Sequence, residues 1–320
     1  MTQIPTLTGV VESSDLGRVL VHEHVFVISS HEYVKNYRDD VDEEALITQA
    51  VRELTELKAA GIDTIMDPTV WGLGRYIPLT RRVAEQVPIN IIAATGLYTY
   101  GDVPFPMLHV GPGEMFDQPD PLPELFVRDL TVGIADTGIR AAFLKCAIDT
   151  KGLTPGVERV MRAVGQASVR TGAPITVHTD SASRSGLVAQ RVLGGEGVDL
   201  RKVVIGHSGD TTDLGYLTAV ADQGSLLGMD RFGLDAVLPL ADRVATIAEL
   251  VRRGYTEQIV LSHDAFCFAD FFPPYEPRTS MPEWNYVYIS HKVLPALLEA
   301  GVSQADIDTM LVHNPRRYFE

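Results

Sequence analysis

Apolar and polar positions along the chain fall into two alternating patterns. Short, nearly continuous apolar runs recur at Val19-Leu20-Val21, Ile62–Met66, Ile89–Ala94, Ala141–Ala147, Pro174–His178, Lys202–His207, Ser225–Asp230 and Gln258–Asp264. Runs this short with no polar face predict parallel strands buried on both sides. Between them lie stretches with apolar residues at helical spacing. From Asp42 to Ala60, Leu46, Ile47, Ala50, Val51, Leu54 and Leu57 form one stripe, and Gly61 follows as the stop. Further helices are predicted near 75–87 and 122–136, and from Thr154-Pro155, an N-cap followed by N1 proline, to about Gly172. Others are predicted at 185–193, 211–222, 241–253, 284–299 and 303–312, with Pro295 kinking the penultimate one and Ser303-x-x-Asp306 resembling a capping box. The stretches 29–41, 99–121 and 265–283 read as loops, the second rich in Gly, Pro and Asp and the third in aromatics and proline.

Strand and helix alternate about eight times, the count of a (β/α)8 TIM barrel of the α/β class, with no composition break to mark a second domain within 1–320. A doubly wound sheet is the alternative, and the absence of Gly-x-Gly-x-x-Gly after the first strand counts against a dinucleotide-binding form. Hydrophobic residues make up 45% of the 320 and charged residues 22%, enough for a large core. A formal net charge of −15 makes nucleic acid a poor partner. Two cysteines suggest a reducing compartment. With no basic leader and no apolar run near the roughly 20 residues of a membrane span, a cytoplasmic protein without membrane partners is expected.

In a barrel, chemistry sits where the strands end. His22 and His24 close the first strand and, two residues apart, share a face. His178 and His207 end the fifth and sixth strands, Lys145 lies late in the fourth, and Asp264 ends the eighth. One strand-end histidine is usually a satisfied core residue; four at one mouth with a carboxylate predict a metal site. His263 and Asp264 cannot both face inward, and a cation held by neutral imidazoles needs an anion, so Asp264 is assigned to the metal and His263 to packing. Lys145 has three readings: a structural lysine paired with a carboxylate, a desolvated amine that forms a Schiff base, or a carbamate bridging two metals. The histidines favour the third.

These residues together resemble the binuclear-metal amidohydrolase superfamily. Val21-His22-Glu23-His24-Val25-Phe26, Gly96-Leu97-Tyr98, Gly206-His207-Ser208-Gly209-Asp210 and Met229-Asp230-Arg231-Phe232-Gly233 more narrowly resemble the phosphotriesterase family, and within it the phosphotriesterase-like lactonases. The likeness runs over nearly the whole chain. Thr179-Asp180-Ser181 departs from it, in a place where a more His- or Ala-containing stretch is expected. The resemblance implies that His22, His24 and Asp264 hold the more buried of two divalent cations, zinc or else cobalt, manganese or iron. It implies that His178 and His207 hold the more exposed one, and that carbamylated Lys145 and a hydroxide bridge the pair. Asp264 would take the proton of the attacking hydroxide, Tyr98 would hydrogen-bond near the metals, and Arg231 would gate the pocket under loop eight. The plainer alternatives are a strand-end aromatic for Tyr98 and, for Arg231, a salt bridge to a nearby acid such as Asp230 or Asp235.

The activity implied is the opening of lactones, N-acyl-homoserine lactones above all (quorum quenching), with phosphotriesterase side activity, in a homodimer. Other γ- or δ-lactones or organophosphate triesters are the nearest alternative substrates. A metal-free lyase using Lys145, and a barrel retained only for binding, are the alternatives of other classes. The loop from Ala265 to Trp284, with Phe266, Phe268, Phe271, Phe272, Tyr275 and Pro273, Pro274 and Pro277, is expected to lie beside the metals and to take an acyl chain.

Overall fold

The computed structural model describes residues 2–272 and 280–320; the predicted loop residues Pro273, Pro274, Tyr275 and Pro277 lie outside them. A hairpin, β1 (Gln3–Thr6) with β2 (Gly9–Glu12), comes first and is not among the predicted elements. Then follow β3 (Val19–Leu20), β4 (His24–Val27), β5 (Thr64–Asp67), β6 (Asn90–Gly96), and the two-residue strands β7 (Val110–Gly111) and β8 (Phe116–Asp117). The rest are β9 (Phe143–Ala147), β10 (Ile175–His178), β11 (Val203–Ile205), β12 (Leu226–Met229), β13 (Ile259–Leu261) and β14 (Phe266–Ala269).

Eight of these strands form one parallel sheet in the order β13-β12-β11-β10-β9-β6-β5-β3. The seam between first and last strand is closed by Val21 N–H to Leu261 O (3.4 Å), His22 N–H to Ser262 Oγ (2.9 Å) and Asp264 N–H to His22 O (3.0 Å). Above it β4 and β14 pair in parallel. The fold is the expected (β/α)8 barrel. Its core has two layers. Val19, Val21, Met66, Ile92, Phe143, Val204 and Val260 fill the interior, and a larger cluster lies between the strands and the surrounding helices. The C-terminal helix Asn314–Phe319 closes the bottom, with Tyr318 Oη 3.0 Å from Thr176 Oγ1.

The helices are α1 (His31–Tyr37), α2 (Glu43–Ala59), α3 (Ile77–Ala84), α4 (Leu122–Thr131), α5 (Pro155–Thr171), α6 (Ser185–Gly195), α7 (Leu214–Ala221) and α8 (Leu240–Arg252). Asp42 caps α2 by accepting from Glu44 N–H, and Thr154 caps α5 by accepting from Val157 N–H. No helix among the described residues is long and apolar enough to cross a membrane.

Several boundaries differ from the sequence expectation. Helix α1 lies in the predicted loop 29–41; it buries no residue, so no apolar stripe betrays it. The predicted helix 284–299 starts as a π turn at Ile289–Val293 and continues as Leu294–Glu299. The predicted helix 303–312 runs on to Phe319 through a second π turn at Thr309–His313. Both wide turns stand directly before a proline-bearing turn, Pro295 and Pro315. A proline inside a helix lacks the donor and crowds the carbonyl four residues back, and the wider turn absorbs both defects. The predicted loop 99–121 holds a 3-10 turn at Phe105–Met107 and the paired two-residue strands β7 and β8, and is pinned by Arg159 of α5, which donates to Asp120 Oδ2 (2.8 Å), Met107 O (2.9 Å) and Val110 O (2.6 Å).

Gly96 has φ +139, and a Cβ there would lie 1.9 Å from Lys145 O on the neighbouring strand. The close approach that seats Lys145 therefore needs glycine. Gly113 also has positive φ (+78) but meets nothing within 4 Å. Gly96→Ala is expected to destabilise by about 3 kcal/mol or more, strain plus overlap, and Gly113→Ala by about 1 kcal/mol. Urea midpoints measure both, and equal losses would contradict the close-approach argument.

Candidate metal centre

The two ends of the chain's barrel meet at the seam, and the polar residues there are placed by its geometry. His22 follows β3 and His24 opens β4. Glu23 between them points away from the mouth and ties the seam: its carboxylate accepts from Ser262 Oγ–H (2.8 Å), His263 N–H (2.8 Å) and Ala265 N–H (3.0 Å). His263 is fully buried, with Nδ1 2.7 Å from Glu23 Oε1 and Nε2 accepting from Ile289 N–H at 2.9 Å. It is a packed histidine and faces away from the mouth.

Asp264 is the residue turned toward His22 and His24, though not by strand pleating. Strand β13 ends at Leu261, and Asp264 has left-handed backbone, φ 57. His207, just past β11, is left-handed too, φ 62. Such conformations in non-glycine residues cost about 1–3 kcal/mol each and persist where the surroundings hold them.

The ring nitrogens converge. His22 Nε2 and His24 Nε2 each lie 3.3 Å from Asp264 Oδ1, and His178 Nδ1 lies 2.8 Å from His207 Nε2. Behind each ring stands a polar group. Asp230 Oδ2 is 3.1 Å from His22 Nδ1, and Asp230 Oδ1 is 3.0 Å from His207 Nδ1. Thr69 Oγ1 is 2.7 Å from His24 Nδ1 and is itself 2.5 Å from Asp67 Oδ1. Asp149 Oδ2 is 2.6 Å from His178 Nε2. Carboxylates only accept, so they assign the ring protons to the outer nitrogens and leave lone pairs facing inward. Two lone pairs 2.8 Å apart, and two more against an anionic oxygen, repel; Lys145 Nζ meets the one on His22 and Tyr98 Oη the one on His178, and a cation among them would relieve all four. This donor set, neutral imidazoles with a carboxylate, fits divalent zinc, cobalt, manganese or iron.

Burial lowers His22, and the nearby Lys145 lowers it further. Burial takes His178 down to about 4 against the opposing hydrogen bond from Asp149, and holds His207 well below its usual value with help from Arg231. All three are neutral near pH 7, the form that ligates a metal. Burial alone would raise Asp264; charge on the neighbouring histidines would lower it, and with those histidines neutral the permanent Arg231 cation is what keeps the carboxyl ionised.

Lys145 is 1% exposed, and its Nζ lies 3.3 Å from His22 Nε2. Desolvation brings it down to about 8. Among the described residues no carboxylate pairs with it, which removes the structural ion pair from its three readings. About a tenth of the amine is then neutral near pH 7, far more than for a free lysine, and neutral amine is what both a carbamate and a Schiff base require.

Tyr98 Oη is 3.3 Å from His178 Nδ1 and also contacts Tyr100 Oη. Burial raises the Tyr98 phenol, so it is a neutral donor beside the ligand set. Arg231 does form salt bridges to nearby acids, though to Asp264 and Asp210 rather than to Asp230 or Asp235. Its Nε is 3.1 Å from Asp264 Oδ2 and its Nη1 3.0 Å from Asp210 Oδ2, while Arg243 backs Asp210 at 2.9 Å. Thr179-Asp180-Ser181 builds a turn: Thr179 Oγ1 donates to Gly206 O (2.7 Å), and Asp180 Oδ2 accepts from Ser183 N–H (2.9 Å). Tyr100, Asp67, Asp149 and Asp230 are the site residues that sequence reasoning missed. The acids stand at or just past strand ends, and that position was the only signal for Asp67 and Asp149; Asp230 also lies in the Met229–Gly233 stretch that carries the resemblance.

Comparison with known proteins finds relatives over nearly the whole chain. The phosphotriesterase family model matches residues 2–319. The phosphotriesterase homology protein of Mycobacterium tuberculosis (strain ATCC 25618 / H37Rv) is 52% identical over 321 residues, covering 100% of this chain and 98% of the relative. The aryldialkylphosphatase of Saccharolobus solfataricus is 38% identical over 315 residues, covering 97% and 96%. The solved structure of the phosphotriesterase from Mycobacterium tuberculosis matches with a TM-score of 0.98 at 52% identity, covering 100% of this chain and 98% of that one.

The neutral histidines set a pH dependence for the metal-free protein. His178 titrates near 4 when folded and near 6.5 when unfolded, and His22 and His207 are lowered in the same direction. Between those values the unfolded chain binds more protons, so stability is full above about pH 6.5 and falls as pH drops toward 4. Urea unfolding of metal-free protein at pH 7.5, 6 and 5 is expected to show that loss, and His178→Gln is expected to reduce it. An unchanged midpoint across the range would contradict the neutral-imidazole assignment.

Proposed function

The chain belongs to the phosphotriesterase family, and within it we propose a metal-dependent hydrolase that opens lactones, N-acyl-homoserine lactones first, with phosphotriesters as side substrates. The observation that carries the hydrolase reading is the set of inward lone pairs on His22, His24, His178 and His207 beside ionised Asp264. In this reading His22, His24 and Asp264 hold one cation and His178 and His207 the other. Lys145 would help hold both once its neutral amine adds to CO₂: an N–C bond forms, one proton leaves, and an anionic carbamate stands where the ammonium did. Bound there, the two cations would polarise the scissile carbonyl or phosphoryl oxygen and lower the pKa of an attacking water.

Asp264 accepts the proton of that water. Because the Arg231 cation favours its ionised form, the protonated carboxyl is a strong acid that passes the proton on readily. An opening lactone releases an alkoxide, a leaving group that needs such a proton. Tyr98 offers a neutral O–H beside His178, placed to hydrogen-bond substrate oxygen. Arg231 keeps Asp264 in place from the side of Asp210.

Support for an acyl substrate comes from the aromatic cluster next to Asp264. Phe266 is in register with His24 across the β4–β14 ladder, stacks on Phe272 at 5.4 Å between centroids, and meets Trp284 at 4.9 Å. These rings line a cavity with Leu46 and Gln49 of α2 rather than with the histidines, and an acyl chain reaching it gains about 0.8 kcal/mol per buried CH₂. The relative named aryldialkylphosphatase supports the phosphotriester alternative. The Schiff-base lyase shares the neutral Lys145 but leaves the histidine cluster without a purpose.

Lys145→Ala is expected to lose most bound metal and activity, with both partly restored by short carboxylic acids that replace the bridge. Wild-type crystals with two cations and an unmodified Lys145 would refute the carbamate, and borohydride trapping of a carbonyl substrate on Lys145 would favour the lyase. For substrate, kcat/KM is expected to rise with acyl length by up to about fourfold per CH₂ until the groove is full. It is also expected to exceed the value for paraoxon by orders of magnitude. A flat series would remove the acyl groove, and paraoxon equal to the best lactone would make the protein a phosphotriesterase first.

A further inference from the structure

Asp230 follows β12 and is wholly buried between two histidines that belong to different halves of the centre. Its Oδ2 lies 3.1 Å from His22 Nδ1. Its Oδ1 lies 3.0 Å from His207 Nδ1 and also accepts the His207 backbone N–H at 2.7 Å. Space for the carboxylate is made by two glycines on the strands beside and beneath it. A Cβ at Gly228 would stand 2.6 Å from Asp230 Oδ2, and one at Gly206 3.2 Å from the same atom. The remaining histidines are backed separately, His24 by Thr69 and His178 by Asp149.

We propose that Asp230 is a positioning residue that sets the tautomers of His22 and His207 together, so that one carboxylate prepares both halves of the metal centre. The inference rests on the reading of the site as a two-cation centre. A carboxylate accepts at both oxygens and so holds a proton on Nδ1 of each ring, leaving both Nε2 atoms free to ligate. An asparagine in its place cannot do this. Its amide oxygen would stay on the His207 side, where the backbone N–H of His207 demands an acceptor. Its NH₂ would then face His22 Nδ1, make that nitrogen an acceptor, and move the His22 proton to Nε2, where it blocks ligation. Asp230→Asn is thus expected to spoil one half of the centre and spare the other, although the two side chains have nearly the same shape.

The test is Asp230→Asn, with Gly228→Ala as the second variant; the added Cβ presses on Oδ2, the oxygen that serves His22. Two-bond 1H–15N correlation spectra of metal-free, histidine-labelled protein read the tautomers without reference to activity. Zinc titration against a competing chelator reads the affinity of each site. Wild type is expected to show His22 and His207 both protonated on Nδ1 and to take up two zinc ions. Either variant is expected to shift His22 to the Nε2-protonated form and keep His207 unchanged. Affinity for one zinc should fall about 10- to 100-fold and for the other much less. Should one variant fail to fold, the other reads the same signature. Native tautomers with both affinities within about twofold of wild type would overturn the proposal. Wild-type protein that takes up no zinc or other divalent cation would overturn the two-cation reading beneath it, and the wild-type titration separates that failure from a failure of Asp230.

Discussion

Lone pairs aimed at one another are the constraint on which the rest of this structure depends. Imidazoles normally turn to find a proton donor, yet here each ring is turned the other way. Its proton is held from behind by Asp230, Asp149 or the Thr69–Asp67 pair, and its free nitrogen faces the common centre, where Lys145 reaches His22 and Tyr98 reaches His178. Such an arrangement is unfavourable until a cation occupies it. The protein maintains it by burying the acids and alcohols that hold the outer protons, and by keeping the imidazoles neutral through the same burial.

The barrel supplies what that arrangement needs. Parallel strands ending at one rim deliver side chains from β3, β4, β9, β10, β11 and the segment after β13 to a common point. Glu23 turns the seam between first and last strand into a rigid corner, so that His22, His24 and Asp264 keep their spacing. Gly96 lets β6 approach Lys145, and Gly206 and Gly228 leave room for Asp230. Stability and chemistry thus draw on the same few backbone positions, and two left-handed residues, His207 and Asp264, carry strain where the ligands are presented.

The barrel, its strand order and the convergence of four histidines with Lys145 and Asp264 were legible because apolar runs mark buried strands and strand ends mark the mouth. The reason offered for Asp264 was only half physical: pleating does not reach residue 264, and a left-handed backbone turns it inward instead. Helix α1 was invisible for want of an apolar face. The π turns were invisible because a proline reads as a kink or an end, whereas a wider turn lets the helix continue. The acids behind the histidines were hidden for another reason. An aspartate after an apolar run is an ordinary strand stop, and nothing in its neighbours along the chain shows that Asp230 reaches two rings from strands that precede it by many residues.

The central claim is that the inward nitrogens enclose two cations. Its most direct measurement is metal analysis of protein purified without added metal, joined to anomalous diffraction that locates each ion. The account predicts about two divalent cations per chain. One would be bounded by His22, His24 and Asp264 and the other by His178 and His207, with Lys145 density extended by a bridging carboxylate. Crystals of active protein with no anomalous peak there, and a proton shared between His178 and His207 instead, would contradict it.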